Sequence, residues 1–222
     1  MTIRKGFEES LKRLQDDVLM LGSMVEEALV ESVQILKNRD FDGSRRLIAY
    51  DERVNEKRFA IENSTLSLIA LQQPVAADMR TLAAILEIAT ELERIGDYAK
   101  GICNINLMIG EGPLLKPLVD IPRMVEHARD MLHRALEAFV RRDLDTARAI
   151  PKEDDVLDNL YNQVYRELLT LIMADPTRMD QATLLLWVAH NLERTGDRIV
   201  NICERIVFTI TGSMKEMNNS AQ

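Results

Sequence analysis

The feature that most constrains this chain is an internal repeat. The segment Glu91–Asn104, ELERIGDYAKGICN, returns one hundred residues later as Asn191–Glu204, NLERTGDRIVNICE. Between 89–103 and 189–203, eight of fifteen residues are identical, too many for chance within one chain. A duplication of this length predicts two similar halves rather than a solenoid, whose repeats are usually about 20 to 50 residues long.

Apolar side chains recur at steps of three and four residues along both halves, which is the spacing of helices. Aromatic residues make up only 5% of the chain, while Leu, Ile, Ala and Met are plentiful, and this mixture favours helices packed on helices. Six helices are predicted, at about 7–38, 44–71, 75–109, 123–142, 145–173 and 178–210. Asp40 or Asp42 is the expected cap of the second helix, and Pro151 is expected to kink or delay the fifth.

Glycine and proline are concentrated between Gly110 and Pro122, which indicates a connection between the two halves. The other connections are short, and short connections make consecutive helices antiparallel neighbours. We therefore predict an all-α fold of two tandem three-helix bundles, with six long antiparallel helices. The first bundle is expected to span residues 1–112 and the second residues 113–222.

The composition argues against several classes of partner. The net charge of −8 disfavours nucleic acid and anionic lipid, both of which attract clustered Lys and Arg. The longest uncharged run, Asn63–Ala77, is shorter than the roughly 20 apolar residues of a membrane helix. No apolar signal segment opens the sequence, and Cys103 and Cys203 form no CxxC pair, so they are expected to be core residues in a reducing compartment. The expected location is the cytoplasm.

Each copy of the repeat carries a Glu-x-x-x-Asp pair, Glu93 with Asp97 and Glu193 with Asp197. Residues four apart lie on one face of a helix, where two like charges repel by a few tenths of a kcal/mol. A positive group is therefore expected between them. That group is either a metal ion or a basic side chain of the protein.

Antiparallel geometry predicts what faces each pair. In a helical hairpin, residues equally distant from the turn lie at equal height, and Asp51 and Asp97 are each 23 residues from Pro74. Asn55 and Glu93 are each 19 residues from it. In the second half, the turn at Asp175-Pro176 likewise levels Asp154 with Asp197 and Asp158 with Glu193.

Two groups of oxygen-bearing side chains follow from this levelling. The first acidic set is Asp51, Asn55, Glu93 and Asp97, and the second acidic set is Asp154, Asp158, Glu193 and Asp197. Asn201 could extend the second set, whereas its counterpart Gly101 adds nothing to the first. Oxygen ligands suit hard cations such as magnesium, manganese, calcium or iron, in mononuclear or multinuclear sites. The alternative is a solvated acidic strip neutralised by Arg94, Arg194, Arg198 or a basic residue of the first helix.

Other residues in the repeat have simpler explanations. Gly96 and Gly196 are expected to allow close helix approach, although a role in admitting a metal stays open. His190 is expected to be structural, since Thr90 stands at its place in the other copy. No nucleophile paired with a base, and no phosphate-binding loop, is evident, so the chain is not expected to be an enzyme.

The motifs ELERIGD and NLERTGD, with QQPVAADMR before the first and the RDFD and RDLD turns, resemble the PhoU family of phosphate-transport accessory proteins. The resemblance covers about 11–208. It implies two three-helix bundles that bind metals, iron among them, through Glu93, Asp97, Glu193 and Asp197. It also implies a cytoplasmic negative regulator beside the phosphate ABC transporter ATPase and its sensor histidine kinase, often as a homodimer.

Three functions are therefore weighed. The favoured one is a non-catalytic adaptor between the transporter and the kinase, binding iron, manganese or magnesium and reaching the membrane only through its partners. The alternative is a carboxylate-bridged metallo-hydrolase or oxidase, which lacks an obvious general base or His ligand. A DNA-binding repressor is disfavoured by the acidic balance.

Overall fold

A computed structural model describes residues 2–214 and 217, and all regular secondary structure in that part of the chain is helical. The α-helices are α1 Thr2–Asn38, α2 Phe41–Gln72, α3 Ala76–Ile109, α4 Asp120–Arg141, α5 Leu144–Ala149, α6 Asp154–Ala174 and α7 Met179–Thr211. The predicted all-α class is confirmed. So are the six helical segments, of which the fifth is divided into α5 and α6.

The duplicated turn carries a duplicated helix cap. Asp40 precedes α2 and its side chain accepts a hydrogen bond from the backbone N–H of Gly43 at 2.8 Å. Asp143 holds the same place before α5 and accepts from the backbone N–H groups of Asp145 and Thr146. Helix α2 therefore begins at Phe41, three residues earlier than predicted, because the Asp40 side chain accepts a hydrogen bond from the Gly43 amide in its first turn.

Asp40→Ala is expected to lower the free energy of unfolding by about 1 kcal/mol, since it leaves an N–H of the first turn without its partner. Asp42→Ala is the matched control, because Asp42 is exposed and pairs with Arg45 at the surface. Thermal melts of both variants provide the comparison. Equal losses would show that Asp40 does not act as the cap.

The fifth segment is interrupted where proline was expected to disturb it. Helix α5 passes into a 3-10 turn, Ile150–Glu153, and α6 starts at Asp154. Pro151 lies at the beginning of this turn and has no N–H to continue α-helical bonding. The interruption places Asp154 at the first position of a new helix, facing α7.

Each half forms a three-helix bundle, α1 with α2 and α3, and α4 with α6 and α7. The halves join along α3 and α7, which make the most extensive contact of any pair of elements, and along α1 and α4. Ion pairs cross the α3–α7 contact, from Arg205 to Glu87 at 2.9 Å and from Arg198 to Glu91 at 3.3 Å. Their spacing shows that α3 and α7 run antiparallel.

One apolar core runs through both halves, and Cys103 and Cys203 are fully buried and unpaired within it, as predicted. Leu114, Leu115 and Leu118, in the connection between α3 and α4, pack against the same core. The division into domains at residues 112 and 113 falls in this connection. The division of the chain into domains of residues 1–112 and 113–222 stays a prediction. No described helix is long and apolar enough to cross a membrane.

Candidate metal centres

The structure brings each acidic set together on two neighbouring helices. Burial raises the pKa of both Glu93 and Asp97 on α3, and the charge of Asp51 on α2 raises both further, after that of Asp97 in the case of Glu93. In the second half, burial and then the charges of Asp158, Asp197 and Glu193 raise the pKa of Asp154. Side chains at equal distances from each turn therefore lie near each other, while their role as metal ligands stays a prediction.

The first acidic set contains a lysine that its sequence pattern did not predict. Lys100 Nζ donates to Asp51 Oδ2 at 2.7 Å and lies 3.8 Å from Asp97 Oδ1. Asn55 Nδ2 donates to the same Asp51 oxygen at 3.1 Å. Asp51 is 5% exposed, and its other oxygen, Oδ1, has no hydrogen-bond partner. An ammonium of the protein itself therefore supplies the positive charge that this set requires.

The second acidic set has no such lysine. Asp154 Oδ1 is buried without a hydrogen-bond partner. Burial, and secondarily its acidic neighbours, raise the pKa of Asp154 from 3.8 to about 7. Burial followed by the charge of Asp197 raises the pKa of Asp158, and the same two causes raise that of Glu193. The carboxylates of this set are held together at a free-energy cost that a bound cation would remove.

Gly196 makes room for the carboxylate of Asp154. A Cβ atom built on Gly196 would collide with Asp154 Oδ1 and would lie 2.7 Å from Leu157 Cδ1. A Cβ on Gly96 would meet only Val54 Cγ1 at 3.2 Å and Val25 Cγ2 at 3.8 Å. Both glycines thus allow close approach, as predicted, but only the second one forms a cradle for an acidic side chain.

Two basic side chains of α7 lie beside the α7 carboxylates of the second acidic set. Arg194 Nη1 donates to Asp197 Oδ2 at 2.6 Å. His190 Nδ1 lies 3.2 Å from Glu193 Oε2, without the alignment of a hydrogen bond. Tyr161 packs beside this imidazole, with ring centroids 6.2 Å apart. The expected neutralising role of Arg194 is present, while Asp154 keeps an oxygen that none of these groups reaches.

Asn201 and Arg198 are turned away from the second acidic set. Asn201 Nδ2 and Arg198 Nη1 both donate to Glu91 Oε2 on α3, each at 3.3 Å. The structure therefore does not bring Asn201 to the acids that it was expected to extend. Asn201 lies one helical turn beyond Asp197, which is close enough along the helix. Its side chain instead points to α3, because α7 packs on α3 and Glu91 accepts its hydrogen bond.

The two sets differ in how well they suit a metal ion. Among the described residues, no group of three or more His, Cys, Asp or Glu side chains is already arranged to hold one. The second set nevertheless offers an unpartnered buried oxygen in a glycine cradle, surrounded by carboxylates. Oxygen donors of this kind fit a hard cation after rotation of side chains. The first set does not fit one as it stands, because Lys100 lies among its carboxylates.

Comparison with known proteins gives the same result for both halves. The family model of the PhoU domain matches residues 18–105 and again 121–206. A Clostridium acetobutylicum protein named phosphate-specific transport system accessory protein PhoU homolog is 34% identical over 97% of this chain and 99% of its own. The Escherichia coli phosphate-specific transport system accessory protein PhoU is 35% identical over 93% of this chain and 86% of its own.

Two solved structures have the same fold. The crystal structure of the phosphate transport system regulatory protein PhoU from Streptococcus pneumoniae has a TM-score of 0.87 at 30% identity, and covers 94% of this chain and 99% of that chain. The crystal structure of PhoU from Pseudomonas aeruginosa has a TM-score of 0.88 at 28% identity, and covers 93% and 100% respectively.

Proposed function

Because this chain belongs to the PhoU family, whose domain matches both of its halves, we propose that it is an accessory regulator of a phosphate transport system. Family membership and the occurrence of the domain in each half are the observations that carry this proposal. They also confirm the resemblance and the duplication inferred from the sequence.

The chain is not an enzyme, as predicted. Its relatives are named accessory and regulatory proteins, and these names do not favour the alternative of a metallo-hydrolase or oxidase. We infer that this chain acts by binding. The structural question is therefore which ions and partners this helical scaffold engages.

The proposed adaptor acts in the cytoplasm between the transporter ATPase and the sensor histidine kinase of the phosphate response. Immobilised chain is expected to retain both proteins from its own host under phosphate-rich conditions. Failure to retain the ATPase would overturn the adaptor role. Analytical ultracentrifugation of the purified chain in solution tests the proposed homodimer, whose mass should be twice the 25.3 kDa of one chain.

Negative regulation is a separate part of the proposal. Deletion of the gene is expected to switch on phosphate-starvation genes in phosphate-replete medium, as measured by transcript abundance. Restoring the intact chain should repress them again. Unchanged transcript levels in the deletion strain would contradict negative regulation. Binding of the ATPase is tested separately, by its retention on the immobilised chain.

We further propose that the second acidic set binds a hard cation such as iron, manganese or magnesium. Asp154, Asp158, Glu193 and Asp197 would hold it. The ion would neutralise carboxylates of α6 and α7 and so hold the two helices together. The unpartnered oxygen of Asp154 and the raised pKa of that side chain support this assignment.

Asp197→Ala is expected to reduce bound Mn²⁺ at least about tenfold, because it removes a charged ligand from the proposed site. Helix content, measured by circular dichroism, should not change. Asp180→Ala is the control, since Asp180 carries the same charge on the exposed first turn of the same helix. Equal manganese content in Asp197→Ala, Asp180→Ala and the unmodified chain would reject Asp197 as a ligand.

A further inference from the structure

The two halves of the chain differ at the centre of their acidic sets. Lys100 stands in the first repeat where Val200 stands in the second, one hundred residues later. Arg58 in α2 likewise corresponds to Tyr161 in α6, at the offset of 103 that relates Asp51 to Asp154. We propose that the Lys100 ammonium takes the place of a metal ion in the first acidic set, so that only the second set binds metal.

The contacts of Lys100 are those of a bound cation. Its Nζ atom touches carboxylates from two helices, Asp51 on α2 and Asp97 on α3. Asp51, Asp97 and Glu93 in turn contribute to the raised pKa of Lys100, chiefly through the hydrogen bond to Asp51. The lysine thus joins α2 to α3 with its charge, as an ion would.

The surrounding charges make a second cation unfavourable in the first set. The first set has three carboxylates, and Lys100 lies beside two of them. Arg58 is a further positive charge, which lowers the pKa of Glu93 against the effect of burial. The second set has four carboxylates, of which Asp197 pairs with Arg194, and the counterpart of Lys100 is the buried, uncharged Val200. A dication a few ångströms from an ammonium is repelled strongly enough to weaken binding at least about a hundredfold.

Removal of the lysine would leave a usable set of donors. Asp51 Oδ1 is already unpartnered and buried, and Glu93 and Asp97 lie on the adjacent helix within range of its charge. Lys100→Val, which copies the residue of the second repeat, is therefore expected to create a second metal site. Lys100→Arg keeps the positive charge and should not create one.

The inference rests on the proposed metal binding by the second set, and Mn²⁺ titration followed by electron paramagnetic resonance tests the two separately. The Asp154→Asn background disables the second set. In that background, Mn²⁺ binding is expected to be absent, to appear with Lys100→Val, and to stay absent with Lys100→Arg. Binding by Asp154→Asn that is lost on adding Asp51→Asn would overturn the inference, and so would no binding by Asp154→Asn/Lys100→Val.

The unmodified chain gives an independent readout that does not require any variant to fold. Hydrogen exchange measured with and without Mn²⁺ should show increased protection in α6 and α7 and no change in α2 and α3. Increased protection in α2 and α3 would overturn the inference. If the intact chain does not bind Mn²⁺ but Asp154→Asn/Lys100→Val does, metal binding by the second set is contradicted and the role of Lys100 is supported.

Discussion

Replacing Asp154 with asparagine is expected to stabilise the metal-free protein at pH 8 by about 1–2 kcal/mol, or about 3–6 °C in melting temperature. Burial and acidic neighbours raise the pKa of Asp154 from 3.8 to about 7 in the folded chain. The folded state therefore holds this proton more tightly than the unfolded state, and stability is lost as pH rises from about 4 to about 7. Asparagine removes the charge, so its benefit should be largest above pH 7 and near zero at pH 4.

Asp51→Asn is the matched control, because Asp51 is the equivalent residue of the first repeat. It forms an ion pair with Lys100 at 2.7 Å, and its loss leaves the ammonium without its main partner. The same substitution should therefore destabilise the protein at pH 8. Thermal melts in the presence of a chelator compare the two variants. A fall in melting temperature for both would contradict the assignment of an uncompensated charge to the second set.

Gly196→Ala is expected to weaken Mn²⁺ binding at least about tenfold, although alanine is the better helix former by about 1 kcal/mol. The added methyl group would occupy the space of Asp154 Oδ1 and press on Leu157 Cδ1. Asp154 must then rotate out of the cradle that places it among the other carboxylates. Isothermal titration with MnCl₂ measures the loss of affinity.

Gly96→Ala is the control for this effect. Its methyl group would meet Val54 Cγ1 at 3.2 Å, so that α2 must give by a few tenths of an ångström, and no carboxylate is displaced. Binding of Mn²⁺ should be unchanged. Similar affinities for Gly196→Ala and the unmodified chain would show that the position of Asp154 does not depend on the glycine.

Much of the fold and of the acidic sets could be predicted from the sequence because both follow from local rules. Helical periodicity and short turns define antiparallel hairpins, and equal distance from a turn places Asp51 near Asp97 and Asp154 near Asp197. The break at Pro151 was also predictable, since proline lacks the amide hydrogen that a helix requires. None of these inferences needs knowledge of how the halves pack together.

The remaining features depend on side chains that the repeat does not share, or on packing between halves. The predicted sets contain only oxygen-bearing side chains, so they leave out Lys100; the sequence signal for it is a lysine three residues after Asp97, at the position that Val200 holds in the other copy. The orientation of Asn201 depends on α3, where Glu91 accepts its amide hydrogen bond. Periodicity does not reveal that α3 and α7 form the main contact between the halves.

Anomalous diffraction at the manganese edge, from crystals of the chain grown with Mn²⁺, tests the central claim most directly. We expect a manganese peak among Asp154, Asp158, Glu193 and Asp197, and none beside Lys100 in the first acidic set. No peak at the second set, or a peak among Asp51, Glu93 and Asp97, would contradict it.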